Sequence, residues 1–249
     1  VVEHCSTNAL GRWASIRSHP GPGPMSLQRD GNAGGGILVV GSAANFDDPT
    51  AGELPDLILR GVTIRRCSAD RGGGIYAENA RVEIHDASVV ECGWNEASAM
   101  EASLRSDVRW NGGTVAKSGS FGSGAILLAP REHVASASFV DVTFEDNAIG
   151  GSAAKYPDGG AVSVLVSELS PTVELSFLRC SFLGNVATRN GGAVYLPRGV
   201  TSASFESCAF QGNTAAKGGG DDVYVRYGVA DGAVRMVDAD VKIADVALH

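Results

Sequence analysis

A phrase in two parts recurs along this chain and limits its fold more than any other feature. At Phe182-Leu183-Gly184-Asn185 a large apolar residue is followed three places later by Asn. Gly191-Gly192-Ala193-Val194-Tyr195 then brings in an apolar residue behind glycines. With Phe182 as anchor, equivalent positions along the chain are Ile64, Val89, Val115, Phe144, Phe182 and Phe210, separated by 25, 26, 29, 38 and 28 residues. Five places before each anchor stands a large apolar residue: Leu59, Ile84, Trp110, Phe139, Phe177 and Phe205. Three places after come Cys67, Cys92, Ser118, Asn147, Asn185 and Asn213. The glycine-led apolar positions are Ile75, Met100, Ile126, Val162, Val194 and Val223, 11 to 13 residues past the anchor except for an offset of 18 at Val162.

A unit of about 25 residues cannot bury an apolar face by itself and must stack on its neighbours. The local pattern within each unit is strand-like. Thr172-Val173-Glu174-Leu175-Ser176-Phe177 and Thr201-Ser202-Ala203-Ser204-Phe205 alternate with a period near two, and no segment keeps an apolar period of 3.6 over a dozen residues. Short strands wound into coils spaced by about 4.8 Å make an all-β, right-handed parallel β-helix. The expectation is a single solenoid domain over 1–249 with about seven to eight coils. A propeller blade needs four strands and about 40 residues, and a sandwich has no fixed column of equivalent positions.

Three insertions interrupt the repeat, near 6–33, 41–56 and 150–158. The first contains His19-Pro20-Gly21-Pro22-Gly23-Pro24 and the second Asn45-Phe46-Asp47-Asp48-Pro49, both with loop chemistry. Val2-x-x-Cys5 has the form of an anchor with its +3 residue, and Met236, Ala239, Val241 and Ala244 fit the −5, −2, 0 and +3 places. Both ends are therefore expected to be open, the chain being a segment of a longer solenoid whose first partner is its own continuation.

Composition narrows the function classes. Glycine is 33 of 249 residues, about twice the usual share, as in chains with many tight corners. A net charge of −8 argues against nucleic acid and against electrostatic attachment to an anionic membrane. The absence of any apolar run of about 18 residues argues against direct insertion as a helix.

The pairing of Phe-x-x-Asn with Gly-Gly-Ala-Val resembles the chlamydial polymorphic outer membrane protein repeat. It stands as Phe144 to Asn147 with Gly159-Gly160-Ala161-Val162, as Phe182 to Asn185 with Gly191 to Val194, and as Phe210 to Asn213 with Gly218-Gly219-Gly220. The resemblance covers residues 139–225 well. Ile64, Val89 and Val115 depart from it by replacing Phe. It implies an autotransporter-like β-helix of the cell surface or extracellular space, a stalk or an adhesin passenger and not an enzyme; the repeat with open ends adds a filament as a further expectation, with surface proteins, filament proteins or glycans as partners.

The candidate chemistry is sparse. Asn147, Asn185 and Asn213 are expected to stack at one corner and satisfy turn backbone along the ladder; a glycan- or ion-binding row is the functional alternative. Cys180 and Cys208 occupy equivalent −2 places in adjacent coils. A disulfide between them is one reading, and two buried small hydrophobes the other. Asp221-Asp222 is the best carboxylate pair for a polysaccharide lyase or hydrolase, but adjacent strand residues face opposite ways, so a turn or a solvated pair is the plainer reading. His4, His19, His85, His133 and His249 show no metal-ligand spacing, and no motif asks for a cofactor. Trp13 and Trp94 are glycan-contact candidates, because an indole in a loop can stack on a sugar.

Overall fold

A computed structural model describes residues 2–3, 36–40, 54–69, 71–93, 98–119, 122–129, 135–150, 158–166, 173–226 and 233–239. The described residues form strands and turns, and they contain no helix long and apolar enough to cross a membrane. Every strand pairing is parallel and joins residues one coil apart. The chain is a parallel β-solenoid.

Two large sheets make its walls. One has eleven strands and the other seven, with a two-stranded pair, Val186–Ala187 and Thr214–Ala215, at a corner between them. In the eleven-stranded sheet the anchor column runs Ile64, Val89, Val115, Phe144, Phe182, Phe210, each residue paired with the next. The −5 column runs Leu59, Ile84, Trp110, Phe139, Phe177, Phe205 and continues to Met236. In the seven-stranded sheet the column is Ile37, Ile75, Met100, Ile126, Val162, Val194, Val223.

From Leu59 to Phe205 the chain completes about five turns, fewer than the seven to eight coils expected for the whole chain. The outermost coils contribute part of their strands: the first gives Val2–Glu3 beside Thr63–Arg65 and Ile37–Val40 beside Ile75–Glu78, and the last gives Val234–Val237 beside Val200–Glu206. The remainder of those coils, and the insertions over 6–33, 41–53 and 151–157, lie outside the described residues.

The core is a set of like-on-like stacks. Phe139, Phe177 and Phe205 stack face to face with centroids 5.1 and 4.8 Å apart; Phe144, Phe182 and Phe210 do the same at 4.8 and 4.6 Å. These distances are the coil spacing itself. The two columns meet edge to face, Phe177 on Phe182 at 5.5 Å, the preferred aromatic geometry.

Corners are turned by single left-handed residues. One column of positive φ lies between the −5 and anchor strands at Gly61, Asp86, Gly112, Asp141, Arg179, Ser207 and Asp238; a second lies two places past the anchor at Arg66, Glu91, Lys117, Asp146, Gly184 and Gly212. The backbone ladder runs through them, as when Lys117 N donates to Glu145 O at 2.9 Å and Asp146 N to Leu183 O at 2.9 Å. The glycine pairs serve a different corner. A Cβ on Gly191, whose φ is +62°, would lie 2.3 Å from Val194 O, and one on Gly192 would lie 2.1 Å from Asp221 O of the next coil. At Gly191 the turn folds back on its own coil, and at Gly192 the next coil approaches more closely than any side chain permits.

Candidate functional site

The polar corner begins where the chain leaves the anchor strand. The left-handed residue at +2 swings the +3 side chain inward, so Asn147, Asn185 and Asn213 are buried beside phenylalanine. Each buried amide must then find four partners or lose water without compensation. Asn185 Oδ1 accepts from Asn147 N at 3.2 Å and from Asn147 Nδ2 at 3.0 Å. Asn185 Nδ2 donates to Phe144 O at 3.0 Å and to Asn213 Oδ1 at 2.9 Å. Asn147 repeats the pattern towards Ser118 N and Val115 O. Before the asparagines the same place is filled by smaller groups that still accept from the preceding coil's N–H: Cys92 N donates to Ser118 Oγ at 3.1 Å, and Cys67 N to Cys92 Sγ at 3.4 Å, while Ser118 Oγ donates to Ala116 O at 2.8 Å.

Asp222 closes this row. Asn213 Nδ2 donates to Phe182 O at 3.0 Å and to Asp222 Oδ1 at 2.9 Å, where the earlier asparagines have the next Asn Oδ1. The Asp222 side chain is inward, with the residue only 5% exposed, while exposed Asp221 accepts from Ala215 N at 3.0 Å. The two carboxylates therefore face opposite ways, and Asp222 is buried rather than solvated because it occupies the inward place held in other coils by Ala99, Ala125, Ala161 and Ala193. Asp47 and Asp48 lie outside the described residues.

Cys180 and Cys208 sit in adjacent coils as buried free thiols, and the bridge between them is not formed. Their hydrogen bond to each other, with burial, pushes the Cys180 thiol up. Cys67 and Cys92 are also buried free thiols. Trp13, Trp94 and Cys5 lie outside the described residues.

Sequence reasoning passed over the outer face of the seven-stranded sheet. The outward place after each glycine-led residue forms the row Leu38, Tyr76, Glu101, Leu127, Ser163, Tyr195, Tyr224. Two polar groups are built on it. At one, the Arg71 guanidinium lies 4.6 Å over the Tyr76 ring and bonds buried Glu101 through Nε at 3.0 Å; the Tyr76 hydroxyl bonds Glu78 and lies 3.1 Å from Ser103 Oγ. Burial first, then the bond to Glu78, pushes that hydroxyl up.

The second group is a shallow cleft of about 250 Å3 lined by Arg189, Asn190, Tyr195, Tyr224 and Arg226. Two of these residues, Arg189 and Asn190, are held by the buried Asp158 carboxylate. Arg189 forks onto it, with Nε 2.9 Å from Oδ1, and Asn190 donates to the same oxygen from N at 3.0 Å and Nδ2 at 2.8 Å. The fork raises the Arg189 pKa. The Tyr195 and Tyr224 rings stack at 5.8 Å with 8° between planes. Burial first, then the Asp158 charge, raises the Tyr195 pKa, while the nearby Arg226 guanidinium opposes the shift. A signal for this cleft was present in the sequence: Tyr directly follows the inward apolar residue at Val194-Tyr195 and again at Val223-Tyr224.

Comparison with known families adds one match. The Chlamydia polymorphic membrane protein repeat model matches residues 179–197. That span holds Phe182, Asn185, Gly191 and Gly192, so it takes in one coil's aromatic stack, its ladder amide and its close glycine approach. The family model and the β-solenoid agree. No curated protein and no solved structure matches the chain.

Proposed function

We propose that this chain is a section of a cell-surface or secreted β-helical protein, structural and adhesive rather than catalytic. The observation that carries the reading is the family match over 179–197, falling on a coil whose inward residues are all committed to stacking and ladder bonds. The matched repeat is that of a polymorphic membrane protein family. A wall of identical coils is a stiff spacer, which holds irregular loops at a fixed height.

The buried polar residues support a structural role. Asn147, Asn185 and Asn213 spend their amides on one another and on backbone, and Asp222 accepts from the last of them. The partners in this reading are the solenoid's own continuation and surface or filament proteins or glycans. The test is labelling of intact cells that carry the full-length protein, with antibody raised against residues 173–226. Labelling without permeabilisation is the expected result, together with cell or surface attachment by beads coated with the chain. Label that appears only after permeabilisation would overturn the location, and beads that attach no better than albumin-coated ones would overturn the adhesive role.

A further inference from the structure

Cys180 and Cys208 hold the same −2 place in adjacent coils, 28 residues apart, and their flanks are in register: Leu178 pairs with Glu206 and Ser181 with Ala209. Ala209 N donates to Cys180 O at 2.9 Å, so the backbone ladder runs through the pair. The phenylalanine stacks on either side set the coil spacing, 4.8 Å for Phe177 on Phe205 and 4.6 Å for Phe182 on Phe210. Backbones at that spacing fall within the about 4.4–6.8 Å that a disulfide spans between Cα atoms. The two thiols already share a hydrogen bond, which holds the Cys208 thiol below its ordinary value against the effect of burial. The coil that follows is in place beside them: Ser207 N donates to Val237 O at 2.9 Å, and Ala239 packs against the core. Val142 and Ala239 hold the −2 place before and after the pair, so in this column each sulfur has one sulfur for a neighbour.

We infer that Cys180 and Cys208 close into a disulfide in an oxidising medium and strap their two coils together, the structure showing the reduced form. The oxidant is a small-molecule disulfide such as oxidised glutathione. The Cys208 sulfur loses its proton and attacks one sulfur of that disulfide, whose S–S bond breaks as a glutathione thiolate leaves. The Cys180 sulfur then loses its proton and attacks the Cys208 sulfur, displacing the second glutathione thiolate. The two protons end on the two glutathione thiols, so two protein thiols are oxidised to one disulfide and one glutathione disulfide is reduced. Both cysteines are buried, so the exchange takes place while their coil is open, as it is laid down in folding or in local opening. Side chains stacked in parallel sit at the coil spacing, slightly wider than the about 3.5–4.5 Å between Cβ atoms of an ordinary bridge. Closure therefore draws the coils together there and leaves a bond that thiols can reduce again. Such a tie keeps a pull on the wall from peeling one coil off the next, which suits the spacer proposed above. It rests on that reading only for the oxidising compartment, since bridging is measured on the purified chain and location on intact cells.

The test refolds the purified full chain from urea with oxidised glutathione in excess over reduced, blocks the remaining thiols with iodoacetamide and maps the tryptic peptides by mass. Cleavage after Arg179, Arg189, Arg198 and Lys217 puts Cys180 in the peptide 180–189 and Cys208 in 199–217. The expected result is one species with the summed mass of those two peptides less two hydrogens, which separates into the two on reduction. The oxidised chain should melt about 5–10 °C above the chain kept in reductant, because the tie restricts the unfolded state. Cys208→Ala should abolish that difference. Peptide mapping needs no variant and decides the question even if Cys208→Ala folds poorly. Recovery of both peptides with blocked thiols, linkage of either to Cys5, Cys67 or Cys92 instead, or a full oxidation shift in folded Cys208→Ala would overturn the inference. Blocked peptides from a chain that labels on intact cells would remove the strap and leave the location standing.

Discussion

At the scale of single residues, the corner amides make a prediction that burial alone would not. Asn185→Ala removes little apolar contact, yet it strips Asn147 N–H and Phe144 C=O of their partners inside the wall. Each buried group left unsatisfied costs about 1–3 kcal/mol, so the variant should lose about 3 kcal/mol in urea unfolding. Loss below about 1 kcal/mol would mean that water enters the corner and the ladder is not closed. The left-handed corners make a second prediction, of opposite character. Lys117 is exposed with φ +50°. Lys117→Val should cost about 1–2 kcal/mol, because a β-branched side chain is strained there, whereas Lys117→Gly should melt within a few degrees of the parent. Both variants lose the same charge, so the difference between their melting temperatures isolates the backbone. These corners were not legible beforehand. Arg66, Glu91, Lys117 and Asp146 share a conformation but no residue type, so neither hydropathy nor turn chemistry marks them. The closing role of Asp222 was hidden for a related reason: a carboxylate at an inward place looks like a turn residue until its amide partner in the fold is known.

At the scale of the strand and its neighbours one coil away, stacking turns sequence-distant charges into columns. The exposed corner residues Arg66, Glu91, Lys117 and Asp146 alternate in sign along one edge. Arg66 Nε donates to Glu91 Oε2 at 2.7 Å, and on the other corner column Arg179 forks onto Asp141 with both bonds at 2.7 Å. The hydrogen bond from Arg179 holds the Asp141 carboxyl below its ordinary value, and that from Arg66 does the same for Glu91. A carboxylate depressed in the folded state stabilises above its unfolded pKa, and that contribution is lost as pH falls through the folded one. Wild-type stability should therefore fall from about pH 4 downward, and Asp141→Asn should fall less steeply over the same range. Unfolding followed at several pH values in low salt checks this. Parallel curves for the two proteins would mean the pair is loose in solution, as exposed pairs often are. The fold class was legible at this scale because period-two alternation and the recurring Gly-Gly-Ala-Val read directly as strands that must stack. The outer face was not, because Tyr76, Glu101, Leu127, Ser163 and Tyr195 alternate in chemistry, and their common direction appears only when the coils are in register.

At the scale of the whole molecule, stability in a solenoid is a sum over neighbours, each coil contacting only the coils on either side. A coil can then be taken out if the two cut faces match. Removing residues 182–209 joins Ser181 to Phe210, which takes the place of Phe182 above Phe144. The deletion also brings Asn213 into the place of Asn185 next to Asn147 and leaves Asp222 still closing the row. Every side chain keeps its inward or outward direction, although most of the span that matches the repeat family is gone. This variant should fold, keep the strand signature in circular dichroism and melt in one transition below the parent's temperature. Removing 182–210 instead shifts the following strand by one residue. That turns its inward set outward, because the side-chain period is two. This second variant should fail to melt cooperatively or should aggregate. The comparison separates register from length, since the deletions differ by one residue. If both fold equally well, the columns of phenylalanine and asparagine do not govern how coils are joined. If neither folds, the coil between Phe182 and Phe210 is not an independent unit, and the description of the wall as repeated interchangeable coils would have to be given up.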